Sequence, residues 1–80
     1  MTLDNMREEI QEIDKLLLNL LERRTTIVKM VGEYKKEHNL SIYVPEVEKK
    51  KIETLSADCA YPGLVETIWP VIMCYSRSVE

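Results

Sequence analysis

Arg24 is the first residue in this sequence whose type and position call for chemistry. It sits between Leu20 and Ile27 in a run where apolar residues recur at spacings of three and four. A guanidinium buried on such a seam without a partner costs on the order of several kcal/mol, so it must meet an anion. That anion is either a carboxylate of the protein or one carried by a ligand. Lys35 follows eleven residues later, which on a helix places it about 20° around the same face and about 16 Å along the axis. Both side chains are long enough to converge on a small anion between them. Arg7 lies about 26 Å from Arg24 and about 100° around the helix. One helix cannot aim both at one ligand, but an antiparallel partner helix can return Arg7 of one chain to Arg24 of another. The competing reading, left open by spacing alone, pairs Arg24 with an internal Glu and lets Lys35 reach out to water.

The second half adds more polar groups. Ser76 and Glu80 are four apart on the face that carries Ile72, and Glu48 follows Pro45 within a first helical turn. Singly, an early Glu suits the helix dipole and a Glu near a helix end is ordinarily solvated. Their co-occurrence with Arg24 and Lys35 in one short chain is what points to a site. Other candidates have plainer readings. Lys49–Lys51 reads as a solvated face and His38 as a helix-end residue. Trp69 and Met73 read as core or dimer contacts. Cys59 and Cys74 lack a neighbouring base and are expected to be inert.

The elements that must position these groups are helices. Leu3, Met6, Ile10, Ile13, Leu17, Leu20, Arg24, Ile27, Val31, Tyr34 and His38 form a sustained heptad seam, predicting one helix from Asp4 to His38. Thr2 or Asp4 can cap its start, and Asn39 can adopt the left-handed conformation that ends it. Leu40–Pro45 reads as a connector, with Pro45 opening a second, short helix through Leu55. A loop over Ser56–Tyr61 follows, and Pro62 is expected to begin a third helix of medium length, bent at Pro70, with Leu64, Ile68, Ile72, Tyr75 and Val79 as its buried stripe.

Composition sets the bounds. With 80 residues, 45% hydrophobic and 31% charged, two Gly and three Pro, residues 1–80 are expected to form one helical domain rather than a disordered or loop-rich chain. The first helix alone would be about 50 Å long, too long for the remaining residues to cover. One His and two Cys fifteen positions apart give no metal site. A formal charge of −3 and a pI near 5.2 disfavour nucleic acid and anionic membranes, and no stretch approaches the length of a membrane span. Met1 runs straight into Thr2-Leu3-Asp4-Asn5 without signal-peptide character, so free thiols and a cytoplasmic location are expected. A second copy of the chain remains the expected source of stability.

The order of motifs resembles the all-helical (AroQ-type) chorismate mutase family. The matching stretches are Met6-Arg7-Glu8-Glu9-Ile10 with Asp14, Leu20–Arg24, Val31–Lys35, Ile42–Glu48 and Ile72–Glu80. The resemblance implies an all-α fold with three helices per chain in an intertwined homodimeric bundle. It implies an isomerase that rearranges chorismate to prephenate in aromatic amino acid biosynthesis, with no cofactor and no covalent intermediate. Arg24, with Arg7 from the partner, would clamp the two substrate carboxylates, and Lys35 would hydrogen-bond the ether oxygen. Glu48 would take the ring hydroxyl and Ser76 would support a carboxylate.

Three positions depart from that family's pattern. Val44 stands where an aspartate usually caps the second helix and faces the site, and Val47 where an arginine is usual. Glu80 stands where many members have a neutral glutamine that donates to the ether oxygen. An ionised Glu80 would oppose the charge developing there, so activity is expected to rise at acidic pH, since burial favours a neutral carboxyl. These departures leave three readings: a weakened chorismate mutase, a mutase or lyase acting on isochorismate or aminodeoxychorismate, and a non-catalytic dimerisation or regulatory module.

Overall fold

In the computed structural model, which describes residues 1–80, the heptad run becomes one unbroken helix, α1 (Leu3–Glu37). Its start is closed by a capping box. The Thr2 hydroxyl accepts from the Asn5 amide at 3.1 Å, while the Asn5 side chain accepts from the Thr2 amide at 3.2 Å, satisfying two donors that the first turn leaves free. Its end is a Schellman motif. Asn39 takes the left-handed conformation (φ 55°), and the Leu40 amide reaches back to the Lys35 carbonyl at 2.8 Å. That geometry uses carbonyls left over in the last turn and throws the chain sharply aside.

The connector leads into α2 (Pro45–Ala57), which opens on Pro45 as expected and runs two residues past the expected Leu55. Val44 is its N-cap and makes no side-chain cap hydrogen bond, because valine has no acceptor to offer. The turn before α3 (Leu64–Val79) corrects the boundary read from Pro62. Gly63 adopts φ 80°, a left-handed conformation that glycine adopts without steric cost, so Pro62 belongs to the turn and the helix starts at Leu64. The Ser56 hydroxyl donates to the Glu66 carboxylate across this turn, tying the end of α2 to the start of α3. α3 continues through Pro70. The proline nitrogen carries no hydrogen, so it donates nothing to the Glu66 carbonyl one turn back.

α1 and α2 both pack against α3. The face of α3 that they cover carries Val65, Met73 and Ser76, which are buried. This corrects the expected stripe, since Leu64, Ile68 and Tyr75 remain 44–57% exposed. α3 has apolar residues on two adjacent faces, and periodicity alone does not say which one turns inward. Gly32 decides it. A Cβ there would lie 2.8 Å from the Glu80 Cα, so only a glycine allows α1 and the last turn of α3 to come this close.

The single chain encloses very little. Four of its 80 residues are buried, and Ile10, Ile13, Leu17, Leu20 and Ile27 on α1 are each at least half exposed. The accessible surface is 6842 Å², against about 5,000 Å² for a compact monomer of this mass. The radius of gyration is 15.8 Å, against about 12 Å for a compact chain of this length. No helix is long and apolar enough to cross a membrane.

Two stability effects follow. Gly32→Ala should lower the melting temperature, with a net loss of about 1–2 kcal/mol, because the clash outweighs the helical preference of alanine. A melting temperature that rises would contradict the contact. The Ser56 hydroxyl also holds the Glu66 carboxyl below its ordinary 4.5. Because the folded group titrates lower than the unfolded one, the bond contributes stability above the ordinary value and loses it as pH falls through the folded value. An NMR titration of Ser56→Ala should show Glu66 moving back up toward 4.5.

Candidate active site

α1, the connector, α2 and the end of α3 enclose an open cavity of about 360 Å³, within the range of small-molecule sites. Its walls mix aliphatic side chains, including Val28, Val31 and Met73, with four cations and two carboxylates. Arg24, Lys35, Lys51 and Arg77 against Glu48 and Glu80 leave a formal surplus of two positive charges, 4 − 2. A cavity of that sign favours an anion over a cation.

Each polar group is held by a different element. Arg24 crosses from α1 to α3, where its Nη1 donates to the Ser76 hydroxyl. Ser76 in turn donates to the Ile72 carbonyl at 2.9 Å, which spends its one hydrogen and leaves its lone pairs toward Arg24. The guanidinium on the seam therefore finds a neutral acceptor within the chain, not an internal glutamate. Lys35 reaches the connector and α3 together: its Nζ donates to the Ile42 carbonyl at 3.1 Å and lies 3.0 Å from the Glu80 carboxylate. The Glu80 side chain is only 7% exposed, and its charge is met by Lys35.

Glu48, one turn into α2, receives Arg77 Nη1 on both carboxylate oxygens at 2.5 Å. The Arg77 guanidinium stacks over Tyr43, its Cζ 4.8 Å from the ring centroid. The Glu48 carboxylate raises the Arg77 pKa further above its already high ordinary value. Val44 and Val47 line the same cavity and contribute apolar wall.

Of the residues singled out from sequence, Arg24, Lys35, Val44, Val47, Glu48, Ser76 and Glu80 meet at this one cavity. Arg7 does not; it lies toward the far end of α1, exposed. Sequence reasoning missed Arg77 and Lys51, and it read Met73 only as core or dimer contact, whereas Met73 is both buried and part of the cavity wall. A signal for Arg77 was present. It stands four residues after Met73 and three before Glu80, on the same side of α3. Lys51 was hidden inside a run of three lysines.

The profile of the family described as chorismate mutase type II matches residues 6–80. The chain belongs to the chorismate mutase type II family. It is 37% identical over 82 aligned positions to the T-protein of Enterobacter agglomerans, covering 94% of this chain and 21% of that protein. It is 42% identical over 53 positions to the bifunctional chorismate mutase/prephenate dehydratase of Aquifex aeolicus (strain VF5), covering 66% and 15%. A T-protein of Haemophilus influenzae is 32% identical over 62 positions, covering 78% and 16%. The chain spans about a fifth or less of the length of these curated relatives. The chorismate mutase family resemblance read from the motif order and the all-helical, three-helix fold are both borne out.

Proposed function

We propose that residues 1–80 form one chorismate mutase domain that rearranges chorismate to prephenate for aromatic amino acid biosynthesis, working as a cytoplasmic homodimer. The observation that carries this reading is the cavity itself. Arg24 and Lys35, one face of one helix, enter it together with Ser76 and Glu48, and its surplus charge suits a dianion.

The reaction is an intramolecular rearrangement in which the ether carbon–oxygen bond breaks as a new carbon–carbon bond forms. Nothing leaves and no proton need be moved, so the protein can act only on conformation and on charge. Arg24, already oriented by Ser76, takes one substrate carboxylate through a guanidinium fork. Lys35 places a compact ammonium against the ether oxygen, where negative charge grows in the transition state. Glu48, held on α2, accepts from the ring hydroxyl. Together these hold a flexible dianion in its compact reactive shape, which removes much of the entropic part of the barrier.

A second copy completes both the fold and the site. Covering an excess of about 1,800 Å² per chain would give an interface of about 3,600 Å² in total, in the range of obligate dimers. Antiparallel pairing of α1 would bring Arg7 of one copy to the cavity of the other, where it takes the remaining carboxylate. Variants test this directly. Arg7→Ala and Arg24→Ala should each lose at least about 100-fold in turnover, followed by the loss of chorismate absorbance. Mixing and refolding the two should recover about a quarter of wild-type activity, since half the dimers then carry one intact site of two. No recovery on mixing would rule out a shared site, and no turnover by the wild type with product identified would rule out the mutase reading.

Glu80 makes a second, independent prediction. Its carboxylate occupies Lys35 and opposes charge on the ether oxygen, so Glu80→Gln should raise kcat about tenfold or more at neutral pH. Lys35 keeps the Ile42 carbonyl as a partner in that variant, so its position should survive. Equal kcat for the two proteins would exclude Glu80 from the reaction.

A further inference from the structure

Arg77 enters the cavity from α3, one residue beyond Ser76, and only part of its guanidinium is engaged. Nη1 donates to both oxygens of Glu48 at 2.5 Å. Neither Nε nor Nη2 takes part in any hydrogen bond, and the side chain is 31% exposed. A guanidinium carries five N–H donors in one rigid plane, and its Nε–Nη2 edge is a fork that matches a carboxylate. That fork is therefore free. It is also held in place, because Glu48 fixes one edge of the plane and the Tyr43 ring, 4.8 Å from Cζ, supports its face. On the neighbouring wall α2 offers Val44 and Val47, neither of which can bind an anion.

We propose that Arg77 is a substrate-binding residue that holds Glu48 on Nη1 and takes a carboxylate of the substrate on its Nε–Nη2 edge, alongside Arg7 of the second copy. One guanidinium then sets both ends of the recognition: it positions the acceptor for the ring hydroxyl and anchors the neighbouring anion. The proposal rests on the mutase reading for the identity of the substrate, and on geometry alone for the anion site.

The test uses the full chain and two readouts. One is steady-state turnover of chorismate. The other is calorimetric binding of a bicyclic ether dicarboxylate that mimics the rearrangement transition state. Arg77→Ala should raise KM, and weaken probe binding, by about 10- to 100-fold, with a smaller effect on kcat. Arg77→Lys retains a charge for Glu48 but has no fork, and should fall between Arg77→Ala and wild type. It also keeps the experiment decisive where circular dichroism shows that Arg77→Ala does not fold. Adding Val47→Arg to Arg77→Ala supplies a guanidinium from α2 and should recover at least tenfold of the lost affinity.

KM and probe affinity within twofold of wild type, or a fall in kcat alone, would overturn the proposal and leave Arg77 as a support for Glu48 only. No recovery by Val47→Arg would also count against it. A wild-type protein that binds the probe without turning over chorismate would remove the mutase reading, while the anion site would still be decided by the probe affinities. A wild type that does neither removes both.

Discussion

At Gly32 the backbone of α1 passes so close to the end of α3 that a single methyl group would lie 2.8 Å from the Glu80 Cα, and the site is arranged around that approach. Lys35 stands three residues further along α1, and its ammonium reaches both Glu80 and the connector carbonyl of Ile42. Arg24 stands eight residues before Gly32 and reaches Ser76. The two cations are about 16 Å apart along α1, while Ser76 and Glu80 are about 6 Å apart along α3. Long side chains make up the difference, and the cations therefore lean toward each other over the cavity. A larger residue at 32 would separate the helices and let both cations relax outward into water.

The same arrangement explains how a chain with four buried residues tolerates six charged groups around one cavity. Each carboxylate is matched by a cation, Glu80 by Lys35 and Glu48 by Arg77. Arg24 donates to a hydroxyl that has already spent its own proton on Ile72. No buried side-chain nitrogen or oxygen is without a partner. Pre-paired groups of this kind pay their ordering entropy during folding, not during binding. They also bear on the proposed reaction: the ammonium that would face the developing oxyanion is the one the Glu80 carboxylate holds in the resting site.

Much of this was legible in the sequence, for identifiable reasons. The long helix was carried by a heptad seam of eleven positions, nine of them apolar, and Asn39 marked its end because few other residues enter the left-handed region cheaply. Arg24 was visible as a charge in an apolar register, and Lys35 followed from helical geometry. The start of α3 was misread because Pro62 fits a first helical position as well as it fits a turn. The deciding feature, the positive φ of Gly63, is a backbone property that no side chain announces. The inward face of α3 was misread because both of its faces are apolar, and the choice between them rests on a helix–helix contact at Gly32. Arg77 was missed because its partners Glu48 and Tyr43 are 29 and 34 residues away, and such pairs become neighbours only when α2 has folded back on α3.

The apolar surface of α1 and the position of Arg7 pose one geometric problem with a common answer. A helix of 35 residues is about 52 Å long, and α2 and α3, of 13 and 16 residues, can shield only part of it. Shortening α1 to match them would bring the chain closer to a self-sufficient monomer, but would delete the turn that carries Arg7. Keeping it long leaves Ile10, Ile13 and Leu17 in water unless a second α1 lies against them. An antiparallel copy placed there covers the apolar seam and, by the same displacement, carries a guanidinium toward the far cavity. In the proposed antiparallel dimer the length of α1 would meet both demands, since it would span from one cavity to the other.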